Sequence, residues 1–388
     1  MTPQLGSAGA LPEAYDPLDL QLDRLGTATD VVEAGRAPAR GQDRRWSTSV
    51  QATVFLLGGV VLGGQGFGIL SESTLSLLDP VVPVALAVVG VLIALEIGAT
   101  PWIRARVVAA ASLQGVIAAL VVAAGMLTLA PMLVDAVLAP WMLALALGVC
   151  AATSSVWANG DALSRASGAQ VLDIDAVWPI VAGGLAIAVM EQPGGAAAML
   201  NTAHVLGMAL TVATAGWLLL ARTGSDTEQR VFTAGTLLLL GGVADYLAVS
   251  ALMAGLVAGA FWHTVGGATR ESIRRDLTHL QHPLIALILL VAGARTEITP
   301  GIIALAVAYV LLRAVGKLAG SIATVVVDPA LSRDAAPHVL SPGILGVAFA
   351  LNMTRALGDD AIVLLSIAVL GTIGAQLLAG VSPAEELA

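Results

Sequence analysis

Two aspartates stand two residues apart in QVLDIDAVWPIVAGGLAIAVM, residues 170–190, a run otherwise apolar enough to cross a bilayer. A carboxylate in apolar surroundings holds its proton more tightly than one in water, and it can also take a cation. Asp173 and Asp175 cannot share one helical face, because two residues turn a helix by about 200°. Two readings are open. In one, Asp173 is an N-cap and Asp175 a first-turn acid at the positive end of the helix. That leaves roughly 17 residues for the span, the bare minimum. In the other, the helix begins near Gly168, and Asp175 lies about two turns inside the apolar region as a functional buried carboxylate.

Further polar groups interrupt the apolar sequence. An ionisable side chain at mid-membrane costs about 2.5–3.5 kcal/mol even on insertion scales, so each needs a reason. In CAATSSVWANGDALSRASG, residues 150–168, Thr153, Ser154 and Ser155 precede Asn159, Gly160 and Asp161. This is either an ordinary helix end or a helix that unwinds within the membrane and offers carbonyls and hydroxyls to a cation. In LLRAVGKLAGS, Arg313 and Lys317 are four residues apart and share a face, and Lys317 is the sole lysine. They either snorkel to an interface or serve as internal counter-ions for a carboxylate. In LSPGILGVAFALN, Ser341, Pro342, Gly343 and Gly346 break a span near its start. Together with the break at 153–160, this resembles the two interrupted helices of an inverted-repeat transporter. Glu96 and Asp245 read as structural or interfacial groups near a membrane edge, and Cys150 as a small packing residue.

The elements that must position these groups are membrane helices. The chain is 57% hydrophobic and 12% charged, with a mean hydropathy of +0.88. Apolar runs of about 18 residues or more, each enough to span a bilayer, recur along it. About twelve spans are expected, near 49–69, 80–99, 106–129, 134–155, 170–190, 197–221, 231–246, 247–264, 279–295, 299–327, 338–356 and 360–380. The division within 231–264 rests only on a hint of a turn at Ala244 to Tyr246. Trp46, Trp102, Trp141 and Trp262 fall near expected ends, as an aromatic belt places them.

Residues 1–45 read as a separate polar, largely disordered cytoplasmic tail without a cleaved signal peptide, and 46–388 as the transmembrane domain. With the tail inside, the cytoplasmic side gathers Arg24, Arg36, Arg40, Arg44, Arg45, Arg104, Arg106, Arg165, Arg222, Arg230, Arg270, Arg274, Arg275 and Arg333. The other side has Arg295 and Arg355. This bias fits the positive-inside rule and places both termini in the cytoplasm. A net charge of −9 argues against nucleic-acid binding. No connecting loop is long enough for a catalytic or nucleotide-binding domain, so the chemistry belongs within the bilayer.

These pieces resemble one family in their order. ATVFLLGGVVLGGQGFGILSES, followed by VVPVALAVVGVLIALEIG with Glu96, looks like the opening of the bacterial monovalent cation:proton antiporters of the potassium-efflux and sodium/proton-exchanger type. AATSSVWANGDALSRASGAQVLDIDAVWPI is similar to that family's Ser/Thr-rich broken helix, basic loop and acidic helix. LAVSALMAGLVAGAFW, RRDLTHLQHPLIALILLVAGARTEI and LLRAVGKLAGS resemble the helices that follow, and the likeness covers residues 50–380.

The resemblance implies an all-α polytopic protein with two crossing discontinuous helices. It implies that Asp175 alternately binds a proton and a monovalent cation, Na⁺ or K⁺, with Thr153, Ser154 and Ser155 at the crossing. Ser341 to Gly346, Gly343 among them, would form the second crossing element, Arg313 the basic partner, and Lys317 and Asp173 would support the site. It implies no cofactor, H⁺ and Na⁺ or K⁺ as partners with the lipid bilayer, a homodimer, and residence in a bacterial cytoplasmic membrane. Ile174 stands where the family often has Asp, Asn or Gln, which favours one charge for one charge. The usual first helix is replaced by the polar tail, and no C-terminal nucleotide-binding domain follows. Two other functions compete: a sodium-coupled symporter of an organic anion, and a membrane-embedded sensor or enzyme, for which the dispersed histidines are unfavourable.

Overall fold

The computed structural model describes residues 48–97, 105–134, 138–153, 167–191, 194–265, 267–327 and 344–380, and of 48–51, 97, 105–107, 167–176, 191, 268–269, 272, 325–327 and 378–380 the backbone alone. Among these residues every regular element is a helix. They are α1 (Thr48–Leu62), α2 (Glu72–Leu78), α3 (Val81–Ile97), α4 (Ala105–Leu133), α5 (Pro140–Ala152), α6 (Ser167–Glu191) and α7 (Gly195–Leu220). Then come α8 (Asp226–Tyr246), α9 (Ala251–Val265), α10 (Gly267–Ala294), α11 (Pro300–Val327), α12 (Ile344–Leu357), a 3₁₀ turn (Gly358–Ala361) and α13 (Ile362–Gly380). The expected tail, 1–45, lies outside the described residues, as do Trp46 and Trp102.

Five apolar stretches are long enough to cross a membrane: Val108–Leu133, Gly195–Leu220, Ile273–Ala294, Pro300–Thr324 and Ile344–Leu377. The short α2 and α3 meet the same test only as a pair, bent by 47°. Ala52–Leu62, Pro140–Ala152, Val177–Met190 and Ala251–Val265 are shorter apolar helices. Each segment expected from the sequence overlaps a described helix, although only the five long stretches meet the length and apolarity of a span on their own. The break in 231–264 falls slightly later than the sequence hinted. Tyr246 still belongs to α8, and the chain turns at Leu247 to Ser250, where Ala248 takes a left-handed φ of 53°.

The helices are sided in the sense a bilayer demands. On α11, Ile303, Val307, Leu311, Val315, Leu318 and Ile322 are exposed, while Leu305, Tyr309, Arg313 and Lys317 are buried. Water would penalise such an apolar stripe, whereas hydrocarbon penalises the polar face and drives it inward. This is a multi-pass membrane protein, and on α11 the charges are turned inside.

Packing sorts the helices into two groups. One joins α1, α3 and α7–α10; the other joins α4–α6 with α11–α13. Small residues let backbones approach within each group. On α9, a Cβ at Gly255 would come within 2.0 Å of the Ala87 carbonyl oxygen of α3. Trp262 departs from the belt expected of it: it is fully buried, and its Nε1 donates to the Ala213 carbonyl of α7 at 2.9 Å. Trp141 is half exposed, as a belt residue is.

Candidate functional site

The site is built around the end of α5. This helix stops abruptly: Thr153 leaves helical geometry with φ −62° and ψ 139°. An α-helix leaves its last carbonyls without intrahelical partners and concentrates partial negative charge there. Here that end is buried. Thr153 is 2% exposed, and its hydroxyl donates back to the Cys150 carbonyl at 2.7 Å.

Two cations from α11 meet these free carbonyls. Arg313 donates from a guanidinium nitrogen to the Thr153 carbonyl at 2.9 Å, and the Lys317 ammonium donates to the Ala152 carbonyl at 2.5 Å. Arg313 is 4% exposed and Lys317 is wholly buried. Snorkelling, one of the two readings open from sequence, is thereby excluded for both. Their four-residue spacing sets the heads over successive carbonyls of one helix end, where a positive charge is favoured.

The first turn of α12 closes the junction from another direction. A Cβ at Gly346 would lie 3.0 Å from both the Cys150 carbonyl and the Thr153 hydroxyl, so α12 begins in contact with the end of α5. The Cys150 thiol donates to the Gly346 carbonyl at 3.4 Å. Read from sequence as packing alone, Cys150 also bonds across this junction. Ser341 and Gly343, expected in the second element, and Ser154 and Ser155, expected in the first, lie outside the described residues.

The helix carrying Asp173 and Asp175 begins earlier than the capping reading requires. It starts at Ser167, so Asp173 is not its N-cap. Asp175 is the ninth residue, about 12 Å along the axis at 1.5 Å per residue. Pro179 sits four residues later inside α6 and has no N–H to give. The backbone carbonyl it would have served is that of Asp175. The side chains of Asp173 and Asp175 lie outside the described residues.

Sequence reasoning passed over Gln114. It is 2% exposed on the inward face of α4, and its Nε2 has no hydrogen-bond partner among the described residues. A buried donor left unpaired costs about 1–3 kcal/mol. A lone amide within an apolar run carries no charge to flag it, so no sequence signal could have found it.

A second charge cluster lies at the rim. Arg295, just beyond α10, pairs with Asp79 at the end of α2. Arg355 of α12 reaches Asp79 at 3.0 Å and Asp245 of α8 at 2.6 Å. Asp245 is thus an ion-pair partner, in keeping with the structural reading given it, and Arg295 and Arg355 share one side of the molecule. At other helix ends, Arg230 lies 3.7 Å and Arg275 3.8 Å from Asp276, and Arg274 pairs with Glu271 at 2.6 Å.

No family model matches the sequence, and no curated protein does. A solved structure does match: the sodium/proton antiporter MjNhaP1 from Methanocaldococcus jannaschii at pH 8. The superposition covers 94% of this chain and 99% of that one, with a TM-score of 0.61 and 13% identity. The fold is that of a sodium/proton antiporter. The likeness runs through nearly the whole of both chains.

Proposed function

We propose that the protein is a secondary antiporter that exchanges protons for a monovalent cation, Na⁺ or K⁺, by alternating access at Asp175. The observation that carries this reading is the buried junction where Arg313 and Lys317 cap the end of α5 beside the first turn of α12. Two fixed positive charges in the membrane interior are costly, and such groups mark ion or proton pathways in membrane proteins. The antiporter fold supports the same reading. In this reading, α5 and α12 are the two crossing discontinuous helices of an inverted repeat among twelve spans, completed by Ser154, Ser155, Ser341 and Gly343.

The chemistry follows from competition for one carboxylate. Burial favours protonated Asp175, neighbouring positive charge favours the ionised form, and a balance near working pH lets proton and cation displace each other. The carbonyl released by Pro179 and the hydroxyl of Thr153 supply neutral oxygens to a cation that has shed water. Rocking of one helix group against the other then opens the site to each side in turn. In this reading the protein lies in a bacterial inner membrane, with the arginine distribution favouring the Arg230 and Arg274 ends and both termini on the cytoplasmic side. Residues 46–388 form the exchanger domain, which works as a homodimer in this reading.

The test follows internal pH in sealed vesicles containing the purified protein after addition of Na⁺, K⁺ or Li⁺. Wild-type protein is expected to move protons against at least one of them, and Asp175→Asn to abolish the signal. Full exchange by Asp175→Asn would overturn the assignment of the carrier. Proton-neutral uptake of an organic anion would favour the symporter.

A further inference from the structure

The amide of Gln114 has no partner among the described residues, although the neighbouring heads of Arg313 and Lys317 are both engaged. Its position follows from three helix crossings. Gly316 of α11 rests on Ala118 of α4, and Gly320 rests on Gln114 itself, where a Cβ would lie 3.0 Å from the Gln114 Cγ. Lys317 lies between those two glycines, and its ammonium reaches Ala152. On the third side, Gly148 of α5 packs on the Ala119 carbonyl of α4. Consecutive α4 and α5 run antiparallel. One turn onward from Gly148 is Ala152, and one turn back from Ala119 is Gly115, the neighbour of Gln114. The Gln114 side chain, the Lys317 head and the carbonyl end of α5 therefore share one level.

We infer that Gln114 is a further cation-binding residue of the transport site, its carboxamide oxygen acting as a neutral ligand that helps to discriminate among monovalent cations. This rests on the antiport reading proposed above. The terminal amide can turn over with no change of shape, exchanging its nitrogen and oxygen. That turn places an acceptor where the unpaired donor now lies. A neutral oxygen adds nothing to the charge balance, so exchange stays one proton for one cation charge. It replaces part of the hydration shell that a cation sheds on entering. A ligand of fixed reach, held against Gly320, favours one ionic radius over others.

Stability and binding separate this role from a packing role. Replacing an unpaired buried amide with an apolar side chain of similar shape is neutral or stabilising when the amide only fills space. The experiment compares wild type, Gln114→Met and Gln114→Asn. It measures melting temperature in detergent with NaCl, KCl or LiCl against choline chloride at equal ionic strength, and exchange kinetics in vesicles. Gln114→Met is expected to match or exceed the cation-free melting temperature of wild type and to lose most of the cation-induced rise. Its KM for the cation should increase about tenfold, equivalent to 1.4 kcal/mol of binding. Gln114→Asn, with a shorter reach, is expected to change the order of preference among Na⁺, K⁺ and Li⁺.

A Gln114→Met protein with wild-type KM and cation-induced rise would overturn the inference. So would one that fails to fold or melts lower with KM unchanged, for the amide would then be structural. If wild type shows a cation-induced rise without proton exchange, the antiport reading fails while the rise still reports on Gln114. If it shows neither, both fall together.

Discussion

Among the described residues, the buried and half-buried cations meet two kinds of partner. Inside, Arg313 and Lys317 set their heads on main-chain carbonyls at the end of α5. At the rim, Arg295 and Arg355 meet the carboxylates of Asp79 and Asp245. A carbonyl is a fixed dipole that neither titrates nor leaves, whereas a carboxylate is a mobile charge that competes with water and salt. In the proposed antiport, the carbonyl bonds would hold both cations in place while Asp175 changes its protonation state. The rim arrangement ties together helix ends that can part. Arg355 belongs to the group containing α12, whereas Asp245 belongs to the group containing α3 and α8 and Asp79 lies in the turn that leads into α3.

The largest effect is expected at Lys317. Lys317→Met removes a wholly buried ammonium and leaves the Ala152 carbonyl without that bond, costing about 1–3 kcal/mol. Loss of the charge that faces the site should reduce exchange at least about a hundredfold, the equivalent of two tenfold steps. Unfolding in detergent and vesicle exchange measure the two effects separately. Lys317→Arg, which keeps the charge, should recover part of the exchange. Wild-type exchange by Lys317→Met would remove the interior centre from the mechanism and erase the contrast with the rim.

Arg355 should respond more mildly. Its side chain is 18% exposed, and those of Asp79 and Asp245 are 32% and 37% exposed, so its ion pairs are partly wet. Pairs of this kind contribute about 0–1 kcal/mol and weaken as salt rises. Arg355→Ala is expected to change the maximal exchange rate by a few-fold, about 1 kcal/mol at most, with the cation KM unaltered. High ionic strength should reduce the difference from wild type. A KM effect as large as that of an interior substitution would show that rim and interior are one system.

The same contrast explains what the sequence discloses. Apolar helices were legible because apolarity along one helix is a local property, and each expected segment overlaps a described helix. Arg313 and Lys317 stood out because charge within an apolar run is conspicuous, but their carbonyl partners lie more than a hundred and fifty residues away and no local pattern names them. Asp173 suited a capping rule that the actual start of α6 at Ser167 sets aside. Trp262 suited an interfacial rule that its bond to Ala213 overrides. Gln114 matched no rule, since its significance comes from the glycines of α11 pressed against it. Tertiary proximity decided Arg313, Lys317, Trp262 and Gln114, whereas for Asp173 it was where the helix begins.

The smallest effect is expected at the exposed Glu271–Arg274 pair, which extends the comparison to a site fully in water. The hydrogen bond from Arg274 holds the Glu271 carboxyl below its usual range. A depressed folded-state value means that any stabilisation is present above the unfolded value, about 4.3, and is lost as pH falls through the folded one. Both side chains are well exposed, at 66% and 43%, so solvent screens the pair. Glu271→Gln is therefore expected to leave the melting temperature unchanged near neutral pH and to follow the wild-type curve as the solution is acidified. A clear loss of stability above about pH 5 that vanishes in acid would show that this helix end is less wet than its exposure indicates. The graded order from fixed carbonyl to shielded carboxylate to solvated carboxylate would then have to be redrawn.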